Sequence, residues 1–133
     1  MTDEETRVTN KLTGGEKGSK LPQLFWAPPA ALRELAKVYG YGAEKYAPNN
    51  FRKGYNWSLS YNSLLRHVLA AEEGEDIDPE SGLMHLAQAA WHCLTLIQFY
   101  LDKESGAHPP ELDDRWTGRA PAKPKGPSEM LGE

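Results

Sequence analysis

The chain has 133 residues, a formal net charge of −4 and one cysteine. No basic field strong enough for duplex nucleic acid is present, a single thiol forms no internal disulfide, and no apolar run reaches the length of a membrane span. The acidic start MTDEETRVTN does not look like a secretory signal, so the expected compartment is a reducing cytoplasm, with neither nucleic acid nor membrane as partner.

Residues 1–21 read as a flexible N-terminal arm containing GGEKGSK. It is either a disordered leader or an arm that folds Lys17 and Lys20 over an anion. Residues 22–101 hold the apolar periodicity and form the expected packed domain. Residues 102–133 read as a Pro/Gly-rich tail, in which Trp116 is a candidate anchor on a neighbouring subunit. A packed unit of roughly 80 residues is marginal alone, so self-association is expected.

The first helix is predicted over 28–46. Pro28 and Pro29 suit a first turn, Leu32, Leu35, Ala36 and Tyr39 recur at helical spacing, and Gly40 and Gly42 weaken or end it. The stretch APNNFRKGYNWS (47–58) is a loop that carries Arg52 and Lys53 between aromatics. Two cations in a loop beside an acidic site are placed to grip a phosphate. Most Trp and Tyr residues read as core; Trp57 and Tyr46, in or beside this loop, are the candidates for stacking on a base.

A second helix is predicted over 58–75, capped by Ser58 or Ser60. On a wheel with Leu64 at zero, Tyr61, Leu65, Val68 and Leu69 span roughly 0–140°. Glu72 and Glu75 fall in the same arc, and Arg66 and Glu73 fall opposite. The helix is therefore expected to point two carboxylates along its buried stripe. A third helix is predicted over 78–102, with Asp78 as N-cap and Pro79 in the first turn. Apolar residues cover most of its circumference, leaving one polar stripe of His85, Gln88 and His92. Only GEDID separates helices two and three, so they are expected to pack antiparallel and to bring Glu72, Glu75, Asp78 and His85 together.

Two readings of that acidic cluster stand side by side. In one it is a solvated hairpin tip, with Asp78 a cap and Glu80 favoured by the helix dipole. In the other, inward carboxylates that would repel stay ionised because a cation offsets them. An oxygen-rich set with one imidazole suits Mg²⁺ or Mn²⁺ better than Zn²⁺. His85 is the first histidine candidate for the site, His67 the second, and His92 reads as structural. Cys93 reads as a buried small hydrophobe.

The motifs GGEKGSK, YGYGAEKYAPNNFRKG, LLRH and GEDIDPESGLMHLAQA occur in this order. Together they resemble the phage-type dATP/dGTP diphosphohydrolase family, which is similar to the MazG-like all-α nucleotide pyrophosphatases and to MazZ enzymes of 2-aminoadenine phages. The resemblance covers about residues 13–101. EEGE (72–75) matches the ExxE of MazG-like enzymes, and EDID (75–78) resembles their ExxD, though too close to form a separate element. Gln88 stands where the family often has a second His, and Phe51 where Trp is common.

The resemblance implies a small MazG-like all-α bundle of about three main helices per chain, completed by oligomerisation to a tetramer or dimer, acting in the host cytoplasm. It implies Mg²⁺- or Mn²⁺-dependent hydrolysis of a purine deoxynucleoside triphosphate, dGTP favoured and dATP accepted, to monophosphate and pyrophosphate. In MazZ-type systems that product serves 2-aminoadenine synthesis. The site residues expected on this reading are Glu72, Glu75, Asp78 and His85 for metal. Glu75 or Glu80 is expected as proton acceptor. Lys45, Lys17, Lys20, Arg52 and Lys53 are expected on phosphate, with Tyr46, Asn50 and His67 against the substrate. The rival readings are a non-enzymatic helical interaction module and a metal phosphohydrolase that releases inorganic phosphate.

Overall fold

The computed structural model describes residues 4–117; the rest of the expected tail lies outside the described residues. Three helices carry the fold: α1 (Pro29–Lys45), α2 (Trp57–Glu72) and α3 (His85–Ser105). The chain is mostly helical, as expected. The N-terminal arm adds an element the sequence did not announce, an antiparallel pair β1 (Thr6–Thr9) and β2 (Glu16–Ser19). Asn10 closes its turn, accepting from the backbone N–H groups of Leu12 and Thr13.

α1 starts on Pro28 and Pro29 and runs through both of its interior glycines to Lys45. A glycine costs a helix about 1 kcal/mol but does not forbid it. α2 and α3 pack antiparallel. His67 meets His85, Ser60 meets His92 and Tyr55 meets Phe99, so the partner number rises on α3 as it falls towards the start of α2. The core lies here, with Trp57, Leu96 and Phe99 buried and Tyr55, Tyr61, Leu64 and Leu112 packed around them.

Both helix ends at the hairpin differ from the sequence reading. α2 stops at Glu72, because Gly74 takes φ +101° and the N–H of Glu75 bonds back to the carbonyl of Ala70 at 3.0 Å. That is a Schellman-type stop, open only to a residue that tolerates positive φ. α3 begins at His85, not Asp78. Asp-Pro opens a tight turn here: Asp78 Oδ1 accepts the N–H of Glu80, Gly82 at φ +74° turns the chain, and Ile77 bridges Met84. The connection is therefore residues 73–84, longer than GEDID.

The cap of α2 also differs. Neither Ser58 nor Ser60 serves. Asp114, 56 residues away, accepts from Ser58 N–H at 2.9 Å and from its hydroxyl at 2.6 Å. Asp114 belongs to a segment that leaves α3 at Gly106 and folds back. In that segment Arg115 lies over the Trp57 ring and pairs with Asp113, which also holds Lys103. His108 donates Nε2–H to the Arg52 carbonyl at 3.0 Å. A Cβ on Gly54 would come within 3.0 Å of both His108 and Leu112, so the segment lies directly on that glycine. Trp116 is exposed.

One side of the molecule is bare. Leu86, Leu94, Ile97, Tyr100 and Leu101 of α3 are exposed, as are Leu65 and Leu69 of α2. Cys93 sits on this face and is exposed rather than buried. The apolar arc of α2 seen in the sequence is thus only half covered within the chain. Its buried side is centred on Trp57, Ser60 and Leu64, and Glu72 points to solvent.

Candidate functional site

α1, the 47–55 loop, α2, the hairpin loop and α3 enclose a cavity of about 710 Å³. Lys45, Tyr46, Asn50, Arg52, His67, Asp78 and Glu80 all line it. These came from the sequence as separate candidates on four different elements, and the fold brings them together. Lys17, Lys20 and Lys53 are not in this wall; Lys17 Nζ instead bonds the Gly18 carbonyl. Glu72 is exposed at the end of α2 and does not join the cluster.

His67 and Asp78 of the cavity wall belong to a histidine–carboxylate group whose third member, His85, is buried and not in that wall. His67, Asp78 and His85 each offer a ligand atom, and these atoms lie within 4.8 Å of one another. The helix hairpin creates the group: His67 is on α2, His85 opens α3, and Asp78 is held between them by its bonds to Glu80 N–H and the Gln88 amide (3.2 Å). Burial alone would raise the Asp78 pKa. The hydrogen bonds from Glu80 and Gln88 and the two nearby imidazoles outweigh it, so the Asp78 pKa is lowered.

Glu75 does not stand on α2, where the wheel placed it. It lies past the end of α2 and bonds His85 Nε2 at 2.8 Å. A carboxylate only accepts, so His85 carries its proton on Nε2 and presents a bare Nδ1. His67 Nδ1, 2.8 Å away, must then be the donor, which leaves Nε2 of His67 unprotonated. Burial, then the facing His85, holds the His67 pKa below its usual value. The chain Glu75–His85–His67 fixes both tautomers while His67 occupies the His85 Nδ1 lone pair; a metal on that nitrogen would take the place of the His67–His85 bond. His92 does not join this chain. Its Nδ1 bonds Ser60, which also meets the Tyr55 hydroxyl at 2.6 Å, and burial, followed by His67 and Arg66, pushes its pKa down to about 4.

Two imidazoles and one carboxylate fit a divalent metal, with a different balance from the expected oxygen-rich set. Imidazole ligands favour Mn²⁺ over Mg²⁺, which keeps oxygen donors and water. The residues that would hold such an ion are His67, Asp78 and His85, with Glu75 orienting His85 from outside.

Three cations line the cavity. Lys45 lies over the Tyr46 ring and Arg52 over Phe51, and Asn49 Oδ1 holds Arg52 Nε at 2.8 Å. The third, Arg66, was assigned to the wet side of α2; it does face solvent, but across the cavity. Its place beside His67 in LLRH was the available signal. Of the two aromatics expected beside the ligand, Tyr46 lines the cavity, whereas Trp57 is 3% exposed and belongs to the core; Tyr39, Phe51 and Trp91 also line the cavity.

Cations, aromatic rings and histidine and carboxylate side chains thus meet around one cavity of a small helical domain. Residues 11–108 match the family model described as dATP/dGTP diphosphohydrolase, N-terminal. A Salmonella phage PMBT28 protein named dATP/dGTP diphosphohydrolase is 33% identical over 93 residues, covering 70% of this chain and 30% of that protein. No solved structure matches the chain. The chain belongs to the dATP/dGTP diphosphohydrolase N-terminal domain family; it spans about a third of the length of the curated relative it matches. Among the described residues no helix is long and apolar enough to cross a membrane.

Proposed function

We propose that this domain hydrolyses purine deoxynucleoside triphosphates, dGTP in preference to dATP, to the monophosphate and pyrophosphate. The observation that carries this reading is the single cavity that joins His67, Asp78 and Glu80 to Lys45, Arg52 and Arg66, in a chain of this family. Arg52 and Arg66 bind phosphate oxygens through paired N–H groups, and Lys45 adds a point charge. A bound Mn²⁺ or Mg²⁺ would supply charge neutralisation on the triphosphate and a more acidic water. Water attacks the α-phosphorus and its proton passes to Glu80, the free carboxylate of the cavity wall, since Glu75 is engaged with His85. The bond from the α-phosphorus to the bridging oxygen breaks, and that oxygen leaves with pyrophosphate.

The bare α2–α3 face supports a homodimer or tetramer, since a monomer exposing Leu94, Ile97 and Leu101 along one helix leaves a large apolar patch in water. Ile97→Glu should convert the oligomer to monomer by light scattering.

The test of the activity is a screen of the common ribo- and deoxynucleoside triphosphates with Mn²⁺ and with Mg²⁺, scored separately for pyrophosphate and inorganic phosphate. Pyrophosphate from purine deoxynucleotides is the expected result. Inorganic phosphate alone would replace this reading with the phosphohydrolase one, and no product with either metal would leave only an interaction module.

A further inference from the structure

Part of the cavity wall is aromatic. Tyr39 from α1, Phe51 from the loop and Trp91 from α3 meet there. Their centroids are 6.3 Å apart for Tyr39–Phe51, 6.1 Å for Tyr39–Trp91 and 5.4 Å for Phe51–Trp91. The rings are tilted against each other by 54–74°, so they form a corner and not a flat stack. A cluster that served only to glue α1 to α3 would be sealed. This one borders the cavity, Tyr39 is 37% exposed, and Phe51 and Trp91 are half-buried.

We propose that Tyr39, Phe51 and Trp91 form the seat of the nucleobase and set the preference for a purine. The seat rests on the nucleotide reading above and specifies what that reading leaves open. Edge-to-face rings accept a further flat ring as another member of the cluster, and a bicyclic base covers more of the corner than a single ring does. The spacing also suits a nucleotide. His92 touches Trp91 at 4.8 Å and stacks on His67 at 6.2 Å, so one ring separates the aromatic corner from the histidine–carboxylate group. Arg52 lies against Phe51 at 5.2 Å, which puts a cation of the proposed phosphate set beside the seat.

The experiment uses two probes that report base and phosphate binding separately. Deoxyguanosine and deoxycytidine carry base and sugar but no phosphate; pyrophosphate carries no base. Binding of each is measured by calorimetry on the full chain, on Phe51→Leu and on Trp91→Leu, with folding checked by melting. The expected result is that deoxyguanosine binds at least about tenfold more tightly than deoxycytidine, and that each leucine variant weakens it about tenfold, the scale of one lost base–aromatic stack. Pyrophosphate binding should stay within about twofold for Trp91→Leu; Phe51 lies under Arg52, so Phe51→Leu is read on deoxyguanosine alone. Equal binding of the two nucleosides by the unaltered chain, or leucine variants that keep their deoxyguanosine affinity, overturns the seat. So does a folded Trp91→Leu that loses both probes alike. Nucleoside binding needs no turnover. A chain that binds deoxyguanosine but releases no pyrophosphate therefore sinks the hydrolase reading alone, and one that hydrolyses but fails the nucleoside test sinks the seat alone.

Discussion

Replacing Glu75 tests how the hairpin prepares the cluster. The His85 side chain is 7% exposed and Glu75 is 55% exposed, joined at 2.8 Å. A fully buried carboxylate–imidazole bond would contribute about 1.5–3 kcal/mol. Solvent reaches Glu75, so a discounted value near 1 kcal/mol is the better expectation. Outer partners of metal-binding histidines are typically worth about 10–100-fold in metal affinity or activity. The lower end, about tenfold, corresponds to about 1.4 kcal/mol and agrees with the discounted bond. Glu75→Ala should therefore raise the Mn²⁺ concentration needed for half-maximal pyrophosphate release by about tenfold. Glu75→Gln should lose less, because its amide oxygen still accepts from His85 Nε2 and preserves the tautomer. The assay is a Mn²⁺ titration of initial rates at saturating dGTP. Identical titration curves for Glu75→Ala and the unaltered chain would refute the relay. A loss that excess Mn²⁺ never restores would place Glu75 in the chemistry itself.

Asp114→Ala removes a cap supplied across 56 residues and should cost about 1 kcal/mol, lowering the melting temperature by roughly 2–6 °C. Burial opposes ionisation of Asp114, but its bonds to Ser58 win and lower its pKa below 3.8; its contribution is present above the unfolded value and fades as pH falls through the lower folded one, so the variant's deficit should shrink in acid. His92 behaves in the opposite sense. Its pKa drops from 6.5 to about 4 on folding, so the unfolded chain takes up a proton that the native one refuses, and stability should decline between pH 6.5 and 4; His92→Gln should flatten that part of a melting-versus-pH curve. Arg66→Ala should raise KM for dGTP about tenfold with a smaller change in kcat, as expected for a group that binds phosphate in ground and transition state alike, and an unchanged KM would remove it from the site.

Much of the scaffold could be read from local signals. The Pro-Pro start of α1, the apolar wrap of α3 and the antiparallel hairpin are properties of short stretches, and they were legible. The errors came where one short signal admits two outcomes. Asp-Pro starts helices and also opens turns, and Gly82 decided for the turn by taking positive φ. The wheel carried Glu75 past Gly74, where the helix no longer existed, and it placed the buried face one ridge away from its true centre on Ser60. That misplaced centre is why Glu72 looked inward and Arg66 looked irrelevant. The cap from Asp114 and the aromatic corner had no local signal, since each joins elements dozens of residues apart. The site candidates on loops were found by chemistry alone, a cation or amide beside aromatics, and their convergence needed the fold.

The return of the chain after α3 changes where the working unit ends. His108 and Leu112 press on Gly54, and His108 holds the carbonyl of Arg52, whose side chain faces the cavity. Protein trimmed at Ser105 would keep every helix yet release the floor beneath Arg52 and uncap α2. Such a fragment should look helical by circular dichroism and, on the proposed function, bind phosphate poorly.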